Sequence, residues 1–283
     1  MSRSPSVRRE TYVILAALLA LSLASWAVLL WQSQRMASDM GMSEMSAAAS
    51  LTAGMGVALF LAMWVIMMVA MMFPTAAPMV LMFAQISRGR RARGDASVPT
   101  WVFVAAYLVV WTAFGVVAFL VASGLDNLGA RWGFLEDNAA RIGGGVLALA
   151  GLYQLSPLKK ACLAKCRTPL QFILTSWREG YSGAFRMGLL HGTYCLGCCW
   201  LLFVILFPLG VMNVAAMGLV TLLVFAEKSL PHGEWTGRAV GVGLVVFGLV
   251  VVFVPGVLPT SIGGGMDAMA TSAMDRLQIA PEV

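Results

Sequence analysis

Four side chains that can bind soft metal ions lie close together in the apolar stretch "HGTYCLGCC", residues 191–199. On an α-helix, His191, Cys195, Cys198 and Cys199 fall on one face about 100° wide. Cysteines at i, i+3 and i+4 can share an ion, whereas His191 and Cys199 are about 12 Å apart along the axis. The spacing therefore predicts two adjacent metal-binding positions, which we call stations. One is formed by Cys195 with Cys198 or Cys199, and the other by His191 with Cys195. Any one of these cysteines alone would also suit ordinary packing.

A second group of sulfur atoms occurs in "MWVIMMVAMMFPTAAPM", residues 63–79. Its methionines recur at helical spacing, and Pro74 and Pro78 then predict a break or kink at the end of that helix. Methionine in a membrane core is often plain filling. The residues that we consider as thioether ligands are Met67, Met68, Met71 and Met72.

Two further segments carry candidate residues near the ends of apolar runs. "SPLKKACLAKCRTP" places Cys162 and Cys166 at i, i+4 among four cations, which are expected to lower the thiol pKa and favour the metal-binding thiolate. "VFAEKSLPHGEW" ends an apolar run with Glu227 and Lys228. Lys228 is expected to extend toward the membrane interface, and either residue is a candidate for assisting ion or proton movement.

The elements that must position these residues are membrane helices. Of the 283 residues, 60% are hydrophobic and 11% are charged, which is typical of a polytopic membrane protein. We predict an all-α fold in a single membrane domain, residues 1–283, because lipid leaves backbone polar groups no other partners than helical ones. A cleaved signal peptide is rejected for the first run because its apolar stretch is too long and Trp26 and Trp31 resemble interfacial anchors. About seven spans are predicted, at residues 11–31, 52–73, 100–122, 139–156, 185–207, 211–227 and 238–258.

The net charge of +6 reflects the orientation of the chain in the membrane and does not indicate nucleic-acid binding. Most Lys and Arg residues fall in alternate loops, beginning with Arg8 and Arg9 and continuing at Arg88–Arg93 and Lys159–Arg186. The positive-inside rule then predicts an N-in, C-out protein of the cytoplasmic membrane, with the lipid bilayer as one partner. The oligomeric state stays open.

This topology places methionine-containing external segments at residues 32–51 and 259–283. Thioethers form no disulfides and stay usable as ligands on an oxidising side, whereas thiolates suit a reducing side or the membrane interior. Soft sulfur and nitrogen donors select Cu(I) or Zn(II), and the methionines favour Cu(I), with zinc as a second candidate. The predicted external capture residues are Met36, Met40, Met42 and Met45.

Together, the paired methionines before a proline, the "CxxxC" loop, the "HGTYCLGCCW" block and the "EK" pair resemble a bacterial family of metal-binding integral membrane proteins. That family includes proposed copper chaperones for tyrosinase-type enzymes. The resemblance covers most of residues 55–235. It implies metal handling, with the same cysteines, histidine and helical methionines as ligand candidates and Glu227 and Lys228 as accompanying polar positions.

We therefore predict a protein that binds Cu(I) and delivers it to a recipient copper enzyme or periplasmic copper protein, and that is not itself an enzyme. Two alternatives remain from the residues alone. One is a membrane thiol oxidoreductase with Cys195 and Cys198 as redox pair and Cys162 and Cys166 as exchange partner. The other is a copper transporter, although the chain has no phosphate-binding loop of an ATPase. A purely structural subunit would require every sulfur to serve packing.

Overall fold

The computed structural model describes residues 5–38, 51–52, 55–94, 98–129, 131, 138–210 and 213–257. These residues form helices and no strand, which confirms the all-α prediction. The helices are α1 (Pro5–Ser38), α2 (Val57–Arg91), α3 (Thr100–Gly129), α4 (Ala139–Leu155), α5 (Pro157–Arg167), α6 (Pro169–Ser176), α7 (Gly180–Val204), α8 (Leu206–Leu209), α9 (Val214–Ser229) and α10 (Gly233–Phe253), followed by a 3₁₀ turn at Pro255–Val257.

Five helices within the described ranges are long and apolar enough to cross a membrane. They correspond to the first, second, third, fifth and seventh predicted spans. The fourth and sixth predicted spans are also helices, but α4 has 17 residues and α9 has 16, which is at the short end for a bilayer crossing. The five candidate spans are Arg9–Arg35, Val57–Arg91, Thr100–Gly129, Gly180–Leu209 and Gly233–Phe253.

Helix α2 does not end at its prolines, contrary to the sequence prediction. Pro74 has no N–H to donate to the carbonyl of Ala70, one turn earlier. In the fold, Ser22 Oγ donates to that carbonyl at 2.7 Å and Trp26 Nε1 at 3.2 Å. Helix α1 thus supplies the missing donors, and α2 continues through Pro78 to Arg91. Trp26 therefore makes a contact between α1 and α2 that the sequence did not predict.

Helices α4 and α10 approach each other closely because glycines meet at their contact. A Cβ added to Gly151 would lie 2.5 Å from the carbonyl oxygen of Gly241, and one added to Gly144 would lie 2.8 Å from that of Gly248. Small residues at a helix contact allow backbones to pack without side chains between them. This pairing attaches the short α4 firmly to the α10 span.

The turn between α8 and α9 lies at Gly210, whose φ of 91° suits glycine. Asn213 then caps α9 by accepting a hydrogen bond from Ala216 N at 3.0 Å. Asn213 N also donates to the carbonyl of Gly210 at 2.9 Å, which closes this turn. It sends α9 back along the bundle, so that the end of α9 meets α5 and α7.

Candidate metal centre

The predicted ligand face of α7 points into the protein core. His191 is 3% exposed, and Cys195, Cys198 and Cys199 are each 1% exposed. Cys198 Sγ donates to the carbonyl of Cys195 at 3.1 Å, and Cys199 Sγ donates to the same oxygen at 2.9 Å. Both thiols therefore point back along α7, toward the backbone of Cys195.

Cys195 has the most polar surroundings of the three. The ammonium nitrogen of Lys228, from the end of α9, lies 3.1 Å from Cys195 Sγ. The hydroxyl of Tyr107, from α3, lies 3.1 Å from the same sulfur. Three helices thus meet at one sulfur atom, with a cation and a hydroxyl directed at it. A positive donor next to a sulfur favours the thiolate, which is the form that binds metal.

The α2 methionines belong to the same buried core as these cysteines. Met72 connects to the Cys195 environment through Thr75, whose Oγ1 lies 3.9 Å from Met72 Sδ. Lys228 Nζ donates to that same Oγ1 at 3.3 Å. The candidate thioether residues are all nearly inaccessible: Met67 is 3% exposed, and Met68, Met71 and Met72 are 0% exposed.

Helix α5 brings the second cysteine pair to the first. Cys166 packs against the buried core that contains Cys195 and Cys198. A Cβ added to Gly197 would lie 2.8 Å from Cys162 Sγ, so the absence of a side chain at Gly197 makes room for that thiol against α7. All five cysteines are free thiols. The fold therefore brings together two cysteine pairs that are about 30 residues apart in sequence.

The expected effect of the neighbouring cations on the α5 thiols is wrong. Burial raises the pKa of Cys162, and the neighbouring thiols of Cys195 and Cys198 together with burial raise the pKa of Cys166 well above its ordinary value. Two of the four flanking cations are directed at other groups. Lys159 pairs with Glu227, and Arg167 Nη2 donates to the carbonyl of Leu230.

His191 lies one turn before Cys195, inside a group of aromatic rings. Its ring is stacked on Phe103 and Tyr107, with centroids 5.8 Å and 5.5 Å away, and it also contacts Phe172 at 5.6 Å. Neither ring nitrogen has a hydrogen-bond partner among the described residues. A buried polar atom without a partner is costly, so these two nitrogens are candidate ligand atoms.

The structure also revises the roles expected for Glu227 and Lys228. Lys228 does not extend to the interface, because its ammonium group is directed at Cys195 and Thr75. Glu227 is 1% exposed and pairs with Lys159 through a contact of 2.6 Å between Oε2 and Nζ. At the end of α9, Lys228 therefore faces α2 and α7, whereas the adjacent Glu227 faces α5.

Chemically, the arrangement suits an ion that accepts few soft ligands. Within the described residues, no three His, Cys, Asp or Glu side chains converge so that they could together hold a metal ion. This agrees with the helical spacing, which separates His191 from Cys199 along α7. The side chain of Met36 and the whole of Met40, Met42 and Met45 lie outside the described residues.

Sequence reasoning missed Tyr107 and Thr75, which contact Cys195 and Lys228, and Lys159, which pairs with Glu227. Tyr107 and Thr75 carry lone hydroxyls in apolar helices, which is a weak signal because a hydroxyl can bond to its own helix. The sequence signal for Lys159 was clearer. It is a lysine in the first turn of α5, just after one apolar run, while another apolar run ends with the acidic Glu227.

Comparison with known proteins supplies the family. The PpoB2 family, described as copper chaperone, matches residues 61–251, which include every candidate ligand of α2, α5 and α7. No curated protein and no solved structure matches the chain. The family match covers well over half of the 283 residues. The chain belongs to the PpoB2 family of copper chaperones.

Proposed function

We propose that this protein binds Cu(I) in the bundle formed by α2, α5, α7 and α9 and hands it to a recipient copper enzyme. The observation that carries the proposal is the contact of Lys228 Nζ with Cys195 Sγ at 3.1 Å, in the buried core against which Cys166 of α5 packs. Thiolates are the soft ligands that select Cu(I). The burial of the α2 methionines in the same core as these cysteines supports a site that is closed to water.

In this proposal Cys195 is the central ligand, and Cys166 or Cys198 completes a low-coordinate sulfur site. Lys228 balances the negative charge of the thiolates inside the apolar bundle, where an unpaired charge is costly. His191 is a second station one turn away, since its ring nitrogens lack partners within the described residues. Neighbouring stations of this kind let an ion move by ligand exchange without entering water.

The decisive experiment is a Cu(I) titration of the full-length protein, purified without oxygen, against a competing Cu(I) chelator. We expect tight, stoichiometric binding that Cys195→Ser or Cys198→Ser abolishes. Replacement of Met36, Met40, Met42 and Met45 together by Leu should leave this affinity unchanged, because thioethers bind Cu(I) less strongly than the thiolates of this site. Full-affinity copper in the Cys195→Ser and Cys198→Ser variants would refute the proposal.

We further propose seven spans with the N-terminus in the cytoplasm and the C-terminus outside, in the cytoplasmic membrane. The charge distribution of the loops supports this orientation. The short α4 and α9 then cross with the help of their packing against α10 and α2. Single cysteines at Ser38 and Ser272 should react with a membrane-impermeant maleimide added from outside. A site that reacts only in inverted vesicles would contradict the orientation.

A thiol oxidoreductase remains the second candidate, and the contact of Cys166 with Cys195 favours it. A disulfide between those residues would join α5 to α7 and release two electrons and two protons to an acceptor such as a quinone. The same titration separates the candidates. Protein that carries no metal but cycles between dithiol and disulfide with a quinone would support the oxidoreductase.

A further inference from the structure

A buried ion pair lies beside the proposed copper site without touching it. Lys159 Nζ and Glu227 Oε2 are 2.6 Å apart, and each side chain is 2% exposed. Gln154 links to both, because its Nε2 donates to Glu227 Oε1 at 2.5 Å and its Oε1 accepts from Lys159. Removing two charges from water costs several kcal/mol per ion, so such a pair is weak evidence of stabilisation. It does, however, fix geometry, since three helices, α4, α5 and α9, must be in register for it to form.

The other end of α5 is attached to the same part of the protein. Arg167 Nη2 donates to the carbonyls of Leu230, at 2.8 Å, and Pro231, at 3.2 Å, in the turn that follows α9. Gly233 leaves space for this contact, because a Cβ there would lie 2.9 Å from the Arg167 guanidinium. Lys159 and Arg167 thus hold the two ends of an 11-residue helix against the end of α9.

The cysteines of α5 lie between these two attachments. A helix held at one end can still rotate or swing, whereas attachment at both ends fixes which face it presents. Here that face places Cys162 against Gly197 and packs Cys166 against the buried core that contains Cys195 and Cys198. The last turn of α9 therefore makes two different contacts. Glu227 pairs with Lys159 of α5, while the adjacent Lys228 contacts Cys195 of α7.

We propose that Lys159, Glu227 and Arg167 are positioning residues that hold α5 so that its thiols complete the copper site. This inference rests on the proposed function. It requires that losing an attachment weakens copper binding only through Cys162 and Cys166. A variant that removes one attachment should then lower the Cu(I) affinity of the wild-type chain. It should not lower the affinity of a chain that already lacks the thiols of Cys162 and Cys166.

The test is a double-mutant cycle on the full-length protein, read as Cu(I) affinity against a competing chelator. Lys159→Met and Arg167→Met should each lower affinity about tenfold in the wild-type chain. Neither should lower it further in the Cys162→Ser/Cys166→Ser chain. Lys160→Met, which removes an exposed charge from the neighbouring position of α5, is the matched control and should change nothing. Equal losses in both backgrounds would mean a general effect on the fold and would overturn the inference.

A second measurement needs no copper. In a chain with Cys162, Cys198 and Cys199 replaced by Ser, diamide should oxidise Cys166 and Cys195 to a disulfide, which mass spectrometry detects. Arg167→Met should slow this reaction about tenfold. Arg167 is partly exposed, so this variant tests the attachment even if Lys159→Met does not fold.

The two measurements separate the two ideas. If the wild-type chain binds no copper but disulfide formation depends on Arg167, the proposed function fails while the positioning of α5 stands. If disulfide formation is as fast in Arg167→Met as in its parent, the positioning inference fails whatever the copper titration shows.

Discussion

The ammonium group of Lys228 lies 3.1 Å from the sulfur of Cys195, although 33 residues separate them in the chain. Lys228 Nζ also donates to Thr75 Oγ1, and Tyr107 approaches Cys195 from the other side. A cation and a hydroxyl from two other helices thus meet at Cys195, and a charge-assisted contact such as that of Lys228 is stronger than a neutral one.

Replacing Lys228 by Met should therefore weaken Cu(I) binding. A hydrogen bond to a charged group contributes about 1.5–3 kcal/mol, so the affinity should fall about ten- to hundredfold. Lys228→Arg keeps the charge and should restore most of the affinity. The measurement is again competition with a Cu(I) chelator, and Lys165→Met serves as a control for the loss of one cation. Tighter binding in Lys228→Met would show that the ammonium group competes with the ion for its place.

The contact between α1 and α2 should depend on Pro74. In the Ser22→Ala/Trp26→Phe variant, the Ala70 carbonyl loses both donors, and a buried unsatisfied acceptor costs about 1–3 kcal/mol. Pro74→Ala supplies the backbone N–H that the proline lacks. The double replacement should therefore lower thermal stability much less in the Pro74→Ala chain than in the wild type. Equal losses of stability in both chains would show that Ser22 and Trp26 act through packing alone.

Much of this fold was predictable because apolar runs of bilayer length have few alternatives to helices. The limits are equally physical. The continuation of α2 through Pro74 depends on donors from α1, which local sequence does not reveal. A proline signals a break only when nothing else satisfies the freed carbonyl.

The candidate site was predictable in its residue types but not in its electrostatics. The ligand face of α7 follows from helical spacing, and the structure buries all four of its predicted residues. The direction of Lys228 and the pairing of Lys159 depend on how α9 is rotated against α5 and α7. Counting cations near Cys162 and Cys166 therefore gave the wrong direction for the pKa of both thiols.

Two glycines of α4 should respond very differently to the same substitution. A Cβ on Gly151 would meet the backbone of Gly241 at 2.5 Å, whereas a Cβ on Gly145 would have nothing within 4 Å. Backbone cannot move aside as a flexible side chain can, so Gly151→Val should cost about 3 kcal/mol or more. Gly145→Val should be close to neutral. Thermal unfolding in detergent checks both. Similar melting temperatures for the two variants would contradict the close approach of α4 to α10.

His191 should be replaceable without loss of stability, although it is 3% exposed. Its nitrogens have no partner among the described residues, while its ring packs against Phe103, Tyr107 and Phe172. Phe retains the ring contacts and removes the unsatisfied atoms, so His191→Phe should leave the melting temperature unchanged or raise it, by the equivalent of about 1–3 kcal/mol.

If His191 forms the second copper station, the same variant should bind less Cu(I) while the Cys195 site keeps its affinity within about twofold. The matched control is His232→Phe, which alters the exposed histidine that precedes α10 and should leave both stability and copper content unchanged. Thermal unfolding and Cu(I) stoichiometry, measured on the same preparations, separate the two roles. A loss of stability with full copper content would make His191 a packing residue, because the cost would then lie in the ring environment and not in a missing ligand.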